Sequence, residues 1–366
     1  MSSKSIVLAA GGTGGHLFPA FALSEELQRR GYVVDLMTDM RGDRYGSGFP
    51  AREVYKIPSA TFSSRSPIGL MRTAFMLMRG TFAAYRHLGR IKPKAIVGFG
   101  GYPTFPPLIA AKMRGVPSAV HEQNAVMGRA NRMMAPLVKN IAASFDKTKN
   151  VKDKFLKKVR VTGNPVRQIV LDSSSVLYDT PIPNGPFNLL VFGGSQGARF
   201  FSDTVPEAIA LLPENLRGRL RIVQQCREED LDRVNQIYQS LGVQAELAPF
   251  FKNLPEIMAS CHLVIGRSGA SSVTELAVLG RPSILVPLPH ALDNDQLQNA
   301  NRLMEAGGAW CIAQKDLTPQ RMAAELEGML NNPGKLVQAA QAARQVGKPQ
   351  AVSLLADMVE DMVNGG

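Results

Sequence analysis

The 366-residue sequence is short of several things, and each shortage excludes something. It has three cysteines, Cys226, Cys261 and Cys311, far apart and with no C-x-x-C pair. That argues against a disulfide framework or a cysteine zinc site and fits a reducing compartment. No run of about 18 uninterrupted apolar residues occurs, so no membrane-spanning helix is expected. The opening "MSSKSIVLAA" holds too short an apolar run for a signal peptide. Neither G-x-G-x-x-G nor G-x-x-x-x-G-K-[ST] is present, so the dinucleotide and P-loop fingerprints are both missing. Acidic residues are scarce in one half: residues 1–160 hold 26 Lys and Arg against 9 Asp and Glu, although the whole chain nets only +12. A half so basic calls for a polyanion: nucleic acid, an anionic membrane face or a phosphorylated substrate. No stacking-rich aromatic run or recognised module favours nucleic acid.

What is there alternates between strand and helix. "SIVLAA", "YVVDLMTD", "AREVYKIP", "KAIVGFGG" and "PSAVHEQN" read as strands of the first half, with "FPAFALSEELQRRG" and "FPPLIAAKMRG" as helical connections. "FNLLVFGG", "RLRIVQQC", "AELAPFF", "HLVIGRSG" and "PSILVPL" repeat the scheme in the second. This rhythm predicts two doubly wound parallel-sheet α/β domains, with ligands beyond the carboxyl ends of the strands and a cleft where the domains face each other. "VTGNPVRQ" punctuates a linker, placing the domains at 1–163 and 164–348. "LDSSSVLYDTPIPNGP" reads as a surface loop, and 349–366 as an amphipathic terminal helix.

Four glycine turns follow strands: Gly11-Gly12-Thr13-Gly14-Gly15, Gly98-Phe99-Gly100-Gly101-Tyr102, Gly193-Gly194-Ser195-Gln196-Gly197 and Gly266-Arg267-Ser268-Gly269. Glycine lets backbone N–H groups approach a phosphate, and a following helix N-terminus favours the anion. A single such turn serves equally as a tight strand-to-helix connection; four together point to ligands. His16 closes the first turn. The helix N-terminus disfavours its protonation, so a neutral imidazole is expected there, either as a base or as a local capping group. His121 reads as partly structural, with Glu122, Gln123 and Asn124 placed for polar recognition. Asp39, ending the second strand, suits a ribose and keeps a nicotinamide-dependent oxidoreductase as an alternative. Glu275, in the second turn of its helix, suits a ribose or simply the helix dipole. "PLPHALDNDQLQNA" gathers His290, Asp293, Asn294, Asp295, Gln296 and Asn299, which suits sugar hydroxyls and shows no metal-ligand spacing.

"SPIGLMRTAFMLMRGTFAAYRHLGRIKPK" carries Ser66 and Pro67 as an N-cap and first-turn pair. Arg65, Arg72, Arg79 and Arg86 recur every seven residues along one stripe, and Ile68, Phe75 and Phe82 line the next, with Met71, Met78 and Tyr85 beyond. This suits an interfacial helix on an anionic bilayer, or an ordinary core helix with solvated arginines.

The stretches "GGTGGHLFPA", "VGFGGYPTFPPLIAA", "HEQNAVMGRANR", "VTGNPVR", "VFGGSQGAR" and "GRSGASSVTELAVLGRPSILVPLPHALDNDQLQNA", in this order through nearly the whole chain, resemble the MurG family. These bacterial enzymes add N-acetylglucosamine to undecaprenyl-diphosphate-linked muramyl-pentapeptide. The resemblance implies a GT-B fold whose last helix returns to the N-terminal domain, no tightly bound cofactor, and peripheral attachment to the cytoplasmic face of the bacterial inner membrane. Its implied partners are UDP-N-acetylglucosamine, the lipid-linked acceptor, anionic lipid and cell-wall synthesis proteins, with no nucleic acid. It implies a donor site of Ser195, Phe251, Arg267, Ala270, Glu275, Gln296 and Asp295, completed by Arg167, Thr13, Gly14, Gly15 and Asn124. It puts Gly11, Gly12, His16, Gly100, Gly101 and Tyr102 at the acceptor diphosphate, with His16 as base or phosphate contact. Membrane contact falls to Ile68, Leu70, Phe75, Phe82, Arg72, Arg79 and Arg86. A glycosyltransferase of the same fold acting on another lipid remains the neighbouring alternative.

Overall fold

The computed structural model describes residues 4–39, 48–60 and 66–365, and the side chains of 195–198 and 292 also lie outside the description. The chain forms two compact units, one of Met1–Arg167 with Pro349–Gly366 and one of Gln168–Lys348.

In the first unit the strands are β1 (Ser5–Ala9), β2 (Val33–Thr38), β3 (Val54–Lys56), β4 (Ala95–Gly98), β5 (Ser118–Glu122), β6 (Asn140–Ala143) and β7 (Val159–Val161), in the sheet order β3-β2-β1-β4-β5-β6-β7. All described pairings are parallel. Strand β1, "SIVLA", is buried along its whole length, as a central parallel strand must be. Its alternation divides the core in two. Ile6 and Leu8 face Leu17, Leu23 and Leu27 together with Leu355 and Val359 of the last helix, while Val7 and Ala9 face Leu88, Phe105, Leu108 and Met134. The last helix, Ala351–Val363, is pinned electrostatically as well. Arg30 donates to Glu26 at 2.7 Å, Asp357 at 2.6 Å and Glu360 at 2.7 Å.

In the second unit β8 (Phe187–Phe192), β9 (Leu220–Gln225), β10 (Gln244–Ala248), β11 (Leu263–Gly266), β12 (Ser283–Leu285) and β13 (Ala309–Cys311) lie in the order β10-β9-β8-β11-β12-β13, again parallel. Phe187, Leu189 and Val191 pack with Phe201, Val205, Val234 and Tyr238. Arg281 is 1% exposed and forms no ion pair with a carboxylate among the described residues. It donates instead to the carbonyls of Ala259, Leu279 and Gly280, at the C-terminal ends of the helices Leu254–Ser260 and Ala270–Leu279, and to Val176. Those helix ends are where a cation is favoured.

Several details differ from the sequence expectations. Strands β6, β7 and β13 carry only three or four residues each, too few for a periodic signal. Part of the presumed surface loop 171–186 is helix Gln168–Ser173, and the rest is stapled down through Arg281 and through Tyr178, whose hydroxyl donates to the His262 carbonyl at 2.9 Å. Residues 162–166 are buried in the first unit, which runs on to Arg167, four residues past the linker glycine Gly163.

Candidate functional site

In each sheet the strand order reverses at the centre: β1 pairs with β2 and β4, and β8 pairs with β9 and β11. The turns after β1 and β4 therefore lie side by side, as do those after β8 and β11. The four glycine turns are two pairs, one at the switch point of each sheet, where open α/β sheets hold ligands.

In the first pair, a Cβ on Gly11 would come within 2.9 Å of Asp39 Oδ1 and 3.0 Å of Thr38 Oγ1, so a side chain there would force the end of β2 or its side chains to shift. That contact also buries Asp39, leaving it 5% exposed beneath the turn rather than open to a ribose. Thr13 is the N-cap of the helix Gly14–Arg29, but its side chain caps no backbone N–H; Oγ1 lies 3.3 Å from His16 Nδ1. The same Nδ1 lies 3.2 Å from the Gly11 carbonyl, which can only accept. The proton therefore sits on Nδ1, and Nε2 carries a free lone pair. The ring rests against the second turn: a Cβ on Gly100 would stand 3.4 Å from Nε2, and one on Gly101 3.3 Å from Cε1. Both glycines hold positive φ, at +87° and +71°. Burial holds His16 below the usual imidazole range, against the pull of the Gly11 carbonyl. The expectation from the helix end has the same direction, and in the structure the cause is desolvation by burial. Tyr102 stacks on Phe105 with ring centroids 5.7 Å apart.

The "HEQN" stretch is mostly internal, which corrects the recognition role expected of Glu122 and Gln123. Glu122 is 1% exposed and accepts from the backbone N–H groups of Gly128 at 2.8 Å and Asn124 at 3.0 Å, and from Asn131 Nδ2 at 2.8 Å. Burial raises its carboxyl, and these donors pull it back. Gln123 donates to the Phe99 carbonyl at 2.9 Å, joining the ends of β5 and β4. His121 Nε2 faces the Gly163 carbonyl at 3.0 Å and Nδ1 faces Gln123 Nε2 at 3.1 Å, so this ring too is neutral, and burial pushes it down to about 4. Asn124 is half-buried at the edge of this network. The strand-end histidine thus anchors the segment that leads to Arg167, whose guanidinium lies 4.5 Å above the Phe18 ring.

In the second pair, Gly194 opens the helix Gly194–Ala210 at φ +64°, and the Ser195 side chain lies outside the described residues. Arg267 is 6% exposed. Its Nη1 donates to the carbonyls of Val286 at 3.1 Å and Pro287 at 3.3 Å, and its Nη2 to Gln314 Oε1 at 2.6 Å. Phe200 and Phe201 flank the guanidinium at 5.3 and 5.1 Å, and burial lowers it to about 10. This arginine braces the turn from inside, with both Nη groups committed to the protein. Ser268, in the fourth glycine turn, and Ser271, in the helix start that the resemblance puts on the nucleotide, are not singled out for their hydroxyls by the sequence, yet their buried Oγ atoms have no partner among the described residues. Their signal is two serines bracketing the start of the helix Ala270–Leu279. Glu275 is buried in that helix. Asn299 Nδ2 donates to the Ser268 carbonyl at 3.2 Å, tying the helix Asp295–Glu305 to the turn. Ahead of that helix, His290, Asp293 and Asn294 hold φ of 60°, 57° and 53°, a run of backbone strain typical of functional loops. Asp295 Oδ1 accepts from the Gln296 N–H at 2.7 Å, and burial raises its carboxyl; Gln296 Oε1 accepts from the Leu288 N–H at 2.9 Å. Phe251 is buried, while its neighbour Phe250 is 72% exposed. Among the described residues no three His, Cys, Asp or Glu side chains gather as a metal site.

The helix Pro67–Ile91 begins as read, with Ser66 Oγ accepting from the Gly69 N–H at 3.1 Å. It packs through Thr73, Gly80, Ala84 and Leu88, residues that are mostly small. Ile68, Met71, Phe75, Met78 and Phe82 form a stripe that is 61–81% exposed. At 3.6 residues per turn, exposed Arg72, Arg79 and Arg86 flank this stripe, and Leu70, 45% exposed, falls toward the packed side. Arg65 lies outside the described residues. No described helix is long and apolar enough to cross a membrane.

Residues 6–143 match the glycosyltransferase family 28 N-terminal domain, and residues 188–355 match its C-terminal domain. The chain belongs to glycosyltransferase family 28. Among its relatives is the UDP-N-acetylglucosamine--N-acetylmuramyl-(pentapeptide) pyrophosphoryl-undecaprenol N-acetylglucosamine transferase of Rhizobium rhizogenes, 52% identical over 98% of this chain and 96% of that one. The enzyme of the same name from Brucella suis is 52% identical over 98% of this chain and 94% of that one. The crystal structure of Acinetobacter baumannii MurG superposes with a TM-score of 0.79 at 28% identity, over 98% of this chain and 99% of that one. Family 28 membership and two parallel sheets make this a GT-B glycosyltransferase, which removes the oxidoreductase and nucleic-acid alternatives.

The buried histidine of this family 28 chain has a pH consequence. Burial pushes His121 down to about 4 in the folded chain, against the ordinary imidazole value of 6.5 in the unfolded one. The unfolded chain takes the proton first, so this stabilisation is complete above about pH 6.5 and is lost as pH falls toward 4. Denaturant unfolding of wild type and His121→Gln across pH 7.5 to 4 checks it. The wild type should lose about 3 kcal/mol more than the variant over that window.

Proposed function

We propose that this glycosyltransferase moves N-acetylglucosamine from UDP-N-acetylglucosamine to the muramyl 4-hydroxyl of undecaprenyl-diphosphate-linked muramyl-pentapeptide, converting lipid I to lipid II for the bacterial cell wall. Whole-length likeness to transferases of that name carries the choice of reaction. The second unit takes the donor. The turns at Ser195 and Gly266–Gly269 and the helix start at Ala270 meet its diphosphate, where the orphaned Ser268 and Ser271 hydroxyls support the assignment. Glu275 takes the ribose hydroxyls, the Phe251 backbone takes uracil, and Gln296 with Asp295 takes the sugar. Arg267 acts through the turn it braces. In the first unit Gly11, Gly12, Gly100, Gly101 and Tyr102 receive the acceptor diphosphate, while Thr13, Gly14, Gly15, Asn124 and Arg167 serve the donor.

The reaction is a single displacement. The 4-hydroxyl oxygen attacks the anomeric carbon, the bond to UDP breaks through an oxocarbenium-like state, and an α-linked sugar becomes β-linked. His16 Nε2 accepts the hydroxyl proton. The observation supporting this role is the Gly11 carbonyl on Nδ1, which leaves Nε2 unprotonated. A neighbouring diphosphate would raise the His16 pKa, and acceptor-phosphate binding is the competing role. Arg167 and the helix N-termini offset the charge of the leaving UDP.

The lipid acceptor requires docking at the cytoplasmic face of the inner membrane, and the exposed stripe at Ile68, Phe75 and Phe82 with its arginines supplies the surface. Burying one such aromatic contributes about 1.5–3 kcal/mol, and each arginine about 1 kcal/mol on anionic lipid.

Transfer of labelled N-acetylglucosamine from UDP-N-acetylglucosamine to a lipid-linked muramyl acceptor tests the reaction, and no product with wild type would end it. His16→Ala should lower kcat by about 100-fold or more; near-normal turnover would remove the base role. In co-sedimentation with anionic vesicles, Phe75→Ser/Phe82→Ser should weaken partitioning at least about tenfold, and wild-type partitioning would show that this helix is not the anchor.

A further inference from the structure

We infer that Gln225 is a positioning residue for the nucleotide donor. Its carboxamide ties the glycine turn after β8 to the loop after β10 and so fixes the spacing between the diphosphate and uracil subsites. The inference rests on the reading above that the second unit takes UDP-N-acetylglucosamine through those two loops.

Strand β9 lies between β8 and β10, and Gln225 is its last residue, paired with Ala248 of β10. The two glutamines that end the strand point opposite ways, as neighbours in a strand do. Gln224 is fully buried and accepts from the Tyr238 hydroxyl at 2.6 Å. Gln225 is half-buried and reaches the loops on both sides. Its Oε1 accepts from the Gly193 N–H at 3.3 Å, and its Nε2 donates to the Pro249 carbonyl at 3.0 Å. Gly193 is the N-cap of the helix Gly194–Ala210, and Pro249 stands two residues before Phe251. One side chain therefore holds the start of the phosphate turn and the start of the base loop.

A carboxamide suits this place in two ways. The Gly193 N–H can only donate and the Pro249 carbonyl can only accept, so the bridge needs an acceptor and a donor on one group. The same two partners fix which way the amide lies. The group is also neutral. A glutamate would turn lone pairs toward the Pro249 carbonyl and set a negative charge beside a turn that receives a diphosphate. A nucleoside diphosphate joins its base and its phosphates through one ribose. It gains from both subsites only when their spacing matches that span. A ligand that fills one subsite is indifferent to the spacing.

Steady-state kinetics of the full chain tests this, with UDP and uridine as competitive inhibitors against UDP-N-acetylglucosamine. The variants are Gln225→Met, which keeps the bulk and loses both hydrogen bonds, and Gln225→Glu, which keeps the shape and only accepts. Gln225→Met should raise the donor KM and the Ki of UDP about tenfold, and Gln225→Glu at least as much. The acceptor KM, kcat and the Ki of uridine should each move less than about twofold. A side chain that only filled space would leave the donor KM unmoved in both variants, and that result would overturn the inference. So would a loss for uridine equal to that for UDP, or a fall in kcat with no change in donor KM. If UDP did not inhibit the wild type, the donor reading of the second unit would fall and the inference with it. Should Gln225→Met not fold, Gln225→Leu replaces it with the same expectations.

Discussion

The imidazole of His16 depends on two glycine stretches that pack close against their surroundings. One is Gly11, pressed against the end of β2; the other is Gly100–Gly101, held at positive φ against the ring. They meet because the strand order reverses between β1 and β4, which sets the two turns side by side. The Gly11 carbonyl then selects the Nδ1 proton, and burial keeps the ring neutral. A side chain at Gly11 would collide with Asp39 or Thr38, and one at Gly100 or Gly101 would strain its turn and press on the ring. Fold topology, backbone geometry and protonation state therefore form one argument at this position.

The second unit repeats the topology with a different chemistry. Its turns end in serines and a helix start rather than a histidine, and one of its buried cations, Arg267, is turned inward to brace the loops after β12 and β13. The unsatisfied hydroxyls of Ser268 and Ser271 are the sort of cost that a binding site carries until its ligand arrives. A different economy governs the helix Pro67–Ile91. It packs mainly through a small-residue face, which leaves its large apolar residues outward beside the arginines. An exposed stripe of this kind marks an interaction surface.

The sequence is most legible where local chemistry decides. The Ser66 cap, the fully apolar β1, the glycine turns and the terminal helix can all be read from short stretches, and the family from their order. What pairs the four turns cannot be read locally, since strand order joins residues about 90 positions apart, such as Ile6 and Ala95. The same holds for burial of polar groups. Glu122 and Gln123 look like recognition residues in "HEQN", yet their partners Gly128, Asn131 and Phe99 come from other segments and take them inside. Arg267 reads as a nucleotide contact from its turn, while the Val286 carbonyl and Gln314 that hold its Nη groups come from other segments. Short edge strands such as β7 and β13 carry too few residues to show a period.

The central claim is a neutral His16 with its proton on Nδ1 and its lone pair on Nε2. Two-bond ¹H–¹⁵N correlation spectra of the imidazole, assigned with His16→Gln and followed through a pH titration, measure this directly. The account predicts the Nδ1-protonated neutral tautomer and a pKa below 6.5 in the unliganded enzyme. A proton on Nε2, or a pKa above 6.5, would contradict it.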